Sequence, residues 1–403
     1  MPSTPPDGQP APADGSLPPA ALAGLAARRL SVYVHVPFCA SRCGYCDFNT
    51  YTAAELGAAP GSSQDAYLAS ARAEVDLAAG VLPGAPPLHS VFFGGGTPTM
   101  LPAQELAGLL GAVRERFVLP AGAEVTTEAN PESVDRAYLD TLVAAGFNRL
   151  SLGMQSSRPG VLAVLERRHT AGRVQQVVEW ARLAGFGSVS VDLIYGSPTE
   201  TLADWDASLG TAIGLDPDHI SAYSLIVEPG TRLAARIGRG ELPGIDEDVQ
   251  ADCYSLAEER LTSAGYSAYE VSNWARSGHE SRHNLAYWLG QDWWGIGPGA
   301  HSHVNGVRWW NVRHPRAYSA RLGAGESPAQ AREILTEEER RTERVLLELR
   351  VAAGLPVDVL TASERRRVPA QVAAGLVTDS GRRLRLTASG RLLADAVIRN
   401  LLD

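Results

Sequence analysis

The sequence predicts an α/β fold: an incomplete (β/α)6 barrel of parallel strands, followed by a smaller, mainly α, winged-helix-like unit. Three observations predict it. From Ser31 to about residue 265, short β-branched runs alternate six times with helical patterns, and such a series forms a parallel sheet whose right-handed crossovers curl it toward a barrel. Three of the four cysteines stand within eight residues of one another, just after the first of these runs. From Thr336 the pattern changes to helix, hairpin, helix.

Residues 1–29 come first, with seven prolines in the first twenty positions and no basic residue before Arg28. They lack the charged start and unbroken apolar core of a secretory signal, and have too little apolar surface to offset the entropy of ordering, so a disordered Pro/Ala/Gly tail is expected. Strands are expected at Val32–Val36, His89–Phe93, Glu124–Thr127, Arg149–Gly153, Ser188–Ile194 and Ile220–Ile226. Helices are expected near 64–80, 102–117, 133–145, 173–185, 201–213 and 247–264. The barrel then spans 30–265, and an extension over 266–335 opens with a strand at Tyr266–Trp274. In the last unit, 336–403, a helix over Glu337–Leu349 precedes Gly375–Val377, a turn at Asp379-Ser380-Gly381, a strand at Arg383–Thr387 and a helix from Ser389 onward. The six arginines and two acids between Glu364 and Arg385 read as the solvated face of a capping domain.

Composition narrows the function. A chain of 403 residues exceeds the roughly 250–300 that one core accommodates, which fits a large domain with an appendage. A net charge of −9 and a pI near 5.6 argue against nucleic acid as the main partner, because duplex binding leaves a basic footprint. No run of eighteen apolar residues occurs, so no transmembrane helix is expected. Clustered cysteines that stay thiolates belong in a reducing compartment, and a cytoplasmic location follows.

The stretch Tyr33-Val-His-Val-Pro-Phe-Cys39-Ala-Ser-Arg-Cys43-Gly-Tyr-Cys46-Asp-Phe48 carries the chemistry. Thiols packed this tightly on a loop point to a metal or a disulfide before they point to packing. A disulfide leaves one of the three over. Structural zinc takes four closed ligands, and the remaining cysteine, Cys253, lies far downstream on an apolar helical pattern where it reads as a small hydrophobe. Three thiolates can hold three irons of a [4Fe–4S] cluster and leave the fourth iron open to a chelating ligand.

The spacing Cys39-x3-Cys43-x2-Cys46, with Tyr33-x-His-x-Pro-Phe before it and Tyr45 ahead of the third cysteine, resembles the radical S-adenosylmethionine (SAM) superfamily, in the branch of oxygen-independent coproporphyrinogen III oxidase. The resemblance implies Cys39, Cys43 and Cys46 as cluster ligands, SAM chelated to the open iron, and reductive cleavage of SAM to a 5′-deoxyadenosyl radical. It also implies an incomplete barrel with its chemistry at the carboxyl ends of the strands. Gly94-Gly95-Gly96-Thr97-Pro98 resembles the segment that contacts the methionyl group, with Gly95, Gly96 and Thr97 as cofactor residues. Glu128, Gln155, Arg167 and Asp192 fall at matching positions and are implied to hold the polar groups of SAM, as are Tyr33 and Tyr45 beside the cysteines. Gly295-Ile-Gly-Pro-Gly299-Ala-His301 resembles a glycine-rich segment that closes near SAM.

Within this branch, His283-Asn284-Leu-Ala-Tyr287-Trp288 resembles the HNxxYW motif of HemW-type haem chaperones. That implies haem as cargo, with His283 offering an imidazole to iron and Asn284, Tyr287 and Trp288 beside it, and haem-accepting proteins, respiratory ones among them, as partners. An electron donor is implied for the cluster. The alternative is the oxidase, which would remove hydrogen from a propionate and release CO2. The oxidase motif continues to a fourth cysteine where this chain has Phe48, and the oxidase carries an N-terminal segment of its active site where this chain has low-complexity sequence.

Overall fold

A computed structural model of the chain describes residues 7–57, 61–167, 170 and 172–402. Six strands run parallel and pair in chain order: β1 (Leu30–Val36), β2 (Leu88–Gly95), β3 (Glu124–Ala129), β4 (Arg149–Gln155), β5 (Ser188–Tyr195) and β6 (His219–Ser224). Helices Gln64–Val81, Ala103–Arg116, Arg136–Ala145, Arg173–Ala184 and Leu202–Gly214 lie in the successive connections, and Glu247–Ser263 follows β6. Their ends carry local signals: Ser63, Asp135, Thr201 and Asp246 accept hydrogen bonds from backbone N–H groups of the first turn.

Along each strand, side chains alternate between two environments. Val32, Val34, Val91, Phe93, Val125, Leu150, Leu152, Val189, Val191, Ile220 and Ala222 are buried in the main core with the apolar faces of the helices. The opposite set, Tyr33, Phe92, Thr126, Ser151, Ser190, Asp192, His219 and Ser221, lines a cavity. Polar residues on the inner face keep the lumen from filling as an apolar core would.

The sheet is open. Beyond β6 it adds the antiparallel pair Asn273–Ala275 and Ser267–Ala268. Beyond β1 it adds Asp292–Ile296, parallel to β1, and then antiparallel His301–Val304, Val307–Asn311, Ala329–Ile334 and Gln9–Pro10. Residues 266–335 therefore extend the barrel's own sheet at both edges, and the expected division at 265 cuts through one continuous core.

Three expectations are corrected. Residues 1–6 lie outside the described residues, but 7–29 are not a loose tail. Gln9 and Pro10 pair with Arg332 and Ala331, Ala21 and Leu25 are buried, and Arg28 Nε donates to Asp292 Oδ2 at 2.5 Å. Pro19 opens the short helix Pro19–Leu22, so proline-rich composition here marks turns and a helix start. The single strand expected at Tyr266–Trp274 is a hairpin instead. Buried Glu270 sits in its turn and accepts from Ser272 N at 3.0 Å, holding the reversal that polar Glu270-Val-Ser272 disguises. Finally, the C-terminal unit has a third strand, Leu355–Pro356, paired with Arg383–Leu386.

That unit has its own core, built from Val345, Leu349, Leu355, Leu360, Val377, Leu384, Val397 and Leu401 among others. Arg391 pairs with Glu258 at 2.5 Å and Ala352 N donates to Tyr269 O at 2.9 Å, which joins it to the barrel.

Candidate functional site

The cysteine loop leaves the carboxyl end of β1 and is held by backbone hydrogen bonds. Cys39 N donates to Tyr51 O at 3.0 Å, Gly44 N to Leu165 O at 3.0 Å, and Leu233 N to Gly44 O at 2.8 Å. The glycine segment after β2 lies directly against it, with Gly96 N on Val36 O and Thr97 N on Phe38 O, both at 2.8 Å. Glycine is required there: a Cβ on Gly96 would stand 2.6 Å from Phe38 O and 3.1 Å from Cys39 Sγ, and one on Gly95, at φ +108°, 2.5 Å from the His35 ring.

Cys39, Cys43 and Cys46 are free thiols of intermediate burial, and all three line one cavity of about 740 Å³. Among the described residues no three His, Cys, Asp or Glu side chains converge on a single ion. Three free thiols on one loop facing one cavity suit a cluster in which each holds its own iron. Cys253, 1% exposed in helix Glu247–Ser263, does not line the cavity.

Tyr33, Tyr45, Gly95, Gly96, Thr97, Glu128, Gln155, Arg167 and Asp192 line the same cavity. Arg167 Nη2 donates to Gly153 O at 3.0 Å and Nη1 approaches Cys43 Sγ at 3.8 Å, while its buried Nε has no partner among the described residues. A guanidinium held at one edge with a donor left over is prepared for an anionic ligand group. Gln155 takes φ +68° at a register shift in β4, a strained conformation that directs its amide into the cavity. Glu128 accepts from Gly95 N at 3.2 Å; burial, with the charge of Asp192 adding, pushes it up to about 8. Asp192 is also raised by burial, and accepts from Ser151 and Ser221 hydroxyls at 2.9 and 2.7 Å. Two such carboxyls gain most from a cationic ligand, which lets both ionise.

The His283 motif occupies the inner end of the lumen, on helix Arg282–Trp288. Glu124, the first residue of β3, caps that helix by accepting from Arg282 N at 3.0 Å and His283 N at 2.9 Å. His283, Asn284 and Tyr287 line the cavity, whereas Trp288 does not. His283 is 2% exposed, and both ring nitrogens are engaged, Nδ1 with Ser90 Oγ at 2.8 Å and Nε2 with the Tyr287 hydroxyl at 2.9 Å. Burial pushes it down to about 3, so the ring is neutral. In this conformation it offers no free lone pair to iron, which corrects the expectation of an available imidazole.

The segment Gly295–His301 is also corrected: it does not line the cavity but packs behind the cysteine loop. Gly297 N donates to buried Glu74 at 2.8 Å, and Asn49 Nδ2 donates to Pro298 O at 2.9 Å. Its work is support. Sequence reasoning missed Arg149, Ser190, His219, Tyr223 and Tyr269, which complete the lumen wall. The signal was present as period-two patterns, Arg149-x-Ser151-x-Gly153-x-Gln155 and His219-x-Ser221-x-Tyr223.

An open parallel barrel with three thiols, a glycine cradle and polar strand ends around one cavity defines a radical SAM protein, and the sequence matches the Radical SAM superfamily over residues 33–212. That class implies a [4Fe–4S] cluster and SAM. The chain is 51% identical over 381 residues to haem chaperone HemW of Mycobacterium tuberculosis, covering 94% of this chain and 97% of that one. It is 34% identical over 380 residues to haem chaperone HemW of Bacillus subtilis, covering 91% and 97%. Among solved structures, coproporphyrinogen III oxidase (HemN) from Escherichia coli superposes with a TM-score of 0.81 at 25% identity, covering 96% of this chain and 94% of that one. The chain belongs to the HemW family of radical SAM proteins.

Proposed function

We propose that the protein is a haem chaperone, which binds haem and delivers it to acceptor proteins. The carrying observation is the 51% identity to a haem chaperone across 94% of the chain. The fold likeness to coproporphyrinogen III oxidase favours that enzyme as the second reading. Against it, Phe48 stands where the oxidase motif has a further cysteine, and no thiol can act there.

Cys39, Cys43 and Cys46 would hold the cluster. Arg167 would take the carboxylate of SAM, Glu128, Gln155 and Asp192 its polar groups, and Gly95, Gly96 and Thr97 its methionyl end, with Tyr33 and Tyr45 alongside. When bound, a [4Fe–4S] cluster supplies an electron to a sulfonium held beside it. The chain's own residues orient the cofactor, exclude water and keep two carboxyls ready to ionise beneath it. His283, Asn284 and Tyr287 would meet haem only after Tyr287 gives up its hydrogen bond, and Trp288 only by a larger rearrangement. Among the described residues no helix is long and apolar enough to cross a membrane. We place the protein in the cytoplasm, where the thiols stay reduced, with a reductant for the cluster and haem-accepting proteins, respiratory ones included, as partners.

Glu128→Ala and Arg167→Ala are expected to weaken SAM binding roughly ten- to hundredfold, the loss of a charge-assisted hydrogen bond worth about 1.5–3 kcal/mol, with cluster absorbance retained. Calorimetric titration of the reconstituted protein checks this, and wild-type affinity in both variants would remove these residues from the cofactor site. The function itself is tested by pairing a haem titration with an anaerobic coproporphyrinogen III assay. Haem binding without consumption of coproporphyrinogen is expected; turnover to protoporphyrinogen would overturn the proposal in favour of the oxidase.

A further inference from the structure

The hydrogen bonds around His283 favour one tautomer. With Ser90 Oγ donating to Ser31 Oγ at 2.8 Å, its bond with His283 Nδ1 is assigned as one that Ser90 accepts. The lone pair is then on Nε2, and the Tyr287 hydroxyl donates into it. The ring is further stacked on Phe92, with centroids 5.0 Å apart and planes at 24°. The motif thus builds a closed wall.

Unpartnered apolar surface lies at the other end of the cavity, beside the cysteine loop. Phe48, Tyr223 and Ile226 are 64%, 45% and 67% exposed, and all three line the cavity. They come from two walls: Phe48 follows Cys46, while Tyr223 and Ile226 stand at and beyond the end of β6. Leu225, the neighbour of Ile226, belongs to a small separate apolar cluster with Val161, Leu165, Ile194 and Leu233, and Tyr45 packs against it. Arg42, on the same loop as Phe48, also lines the cavity, and its buried Nε has no partner among the described residues. Its Nη2 donates to Thr50 O and lies 3.3 and 3.5 Å from the two Glu55 carboxylate oxygens, at the solvent-exposed rim.

Apolar side chains on the concave walls of a cavity suit a flat molecule that enters it, where the convex surface of a protein partner would not reach. An apolar face bordered by a guanidinium suits a flat molecule with carboxylates on its edge. We infer that the cargo porphyrin docks at this mouth, its face on Phe48, Tyr223 and Ile226 and a propionate toward Arg42, and not on the imidazole of His283. The inference rests on the haem-chaperone reading.

Face contact requires no iron, so the test uses haem and iron-free protoporphyrin IX in parallel. Both are titrated into the full chain with its cluster reconstituted, as wild type, Phe48→Ser, Ile226→Ser, Arg42→Gln and His283→Ala. Phe48→Ser and Ile226→Ser are expected to weaken both ligands roughly tenfold each, and Arg42→Gln to weaken both by a smaller factor. Ile226 lies outside the cysteine loop, so its variant should keep full cluster absorbance and remains informative if Phe48→Ser disturbs the loop. Wild-type affinity of Ile226→Ser for both ligands would overturn the inference, as would loss of haem binding in His283→Ala with protoporphyrin failing to bind the wild type. A wild-type protein that binds no haem would instead bring down the chaperone reading itself.

Discussion

Cys39→Ala, Cys43→Ala and Cys46→Ala are each expected to abolish the visible absorbance and iron content of the reconstituted cluster. Each thiolate would hold a separate iron, and the site has no spare: the remaining cysteine, Cys253, is buried in a helix away from the cavity. Two thiolates cannot retain a [4Fe–4S] cluster that already lacks a protein ligand on its fourth iron. Iron and sulfide analysis beside the absorbance spectrum checks this, and Cys253→Ala should match the wild type. A protein that lost its cluster only on replacement of Cys253 would sink the three-thiolate site. The three cysteines lie on a loop of intermediate burial and outside the main core, so the loss should come without collapse of the barrel, and far-ultraviolet dichroism should be unchanged.

Deleting residues 1–29 is expected to destabilise the protein strongly. Arg28, a quarter exposed, is the partner of Asp292, whose side chain is 2% exposed and keeps Asn305 N as a donor at 2.8 Å, so losing Arg28 removes a charge-assisted hydrogen bond worth about 1.5–3 kcal/mol. Arg28 also donates to Ala23 O and Ala21 O at 2.5 and 2.7 Å, tying the entry segment into the edge where Ala21 and Leu25 are buried. The deletion further exposes the edge strand Ala329–Ile334, now covered by Gln9–Pro10, as a template for self-association. Urea unfolding and light scattering of the truncated chain measure both effects. An unchanged unfolding midpoint would mean that the packed entry segment contributes no stability.

The segment also shows why composition misleads near a chain's start. Low-complexity Pro/Ala/Gly sequence has little apolar surface of its own, yet Ala21, Leu25 and Arg28 need only a prepared surface, which Asp292 and the edge strand supply. Nothing in residues 1–29 announces that surface. The same holds for Glu270, whose burial is made tolerable by Ser272, Asn273 and Asn284, residues brought together only by the hairpin and the helix after it.

By itself the sequence determined the six β/α units, the thiol loop and the polar strand ends, because each is a local property: hydrophobic periodicity, ligand spacing, or a glycine where backbone must approach backbone. The lumen was legible too, in the period-two alternation of Ser151, Ser190, Asp192 and Ser221, although no single strand identifies it. What only the tertiary structure decided is which of these groups are free. The histidine and tyrosine at 283 and 287 look like an available pair until the fold brings Ser90 of β2 against helix Arg282–Trp288 and uses both nitrogens of the ring. Nothing in the sequence marks Phe48, Tyr223 and Ile226 as exposed; the open barrel leaves them on the walls of its cavity. Whether a polar group is satisfied, or an apolar one covered, depends on partners distant in the chain, and those partners are set by packing.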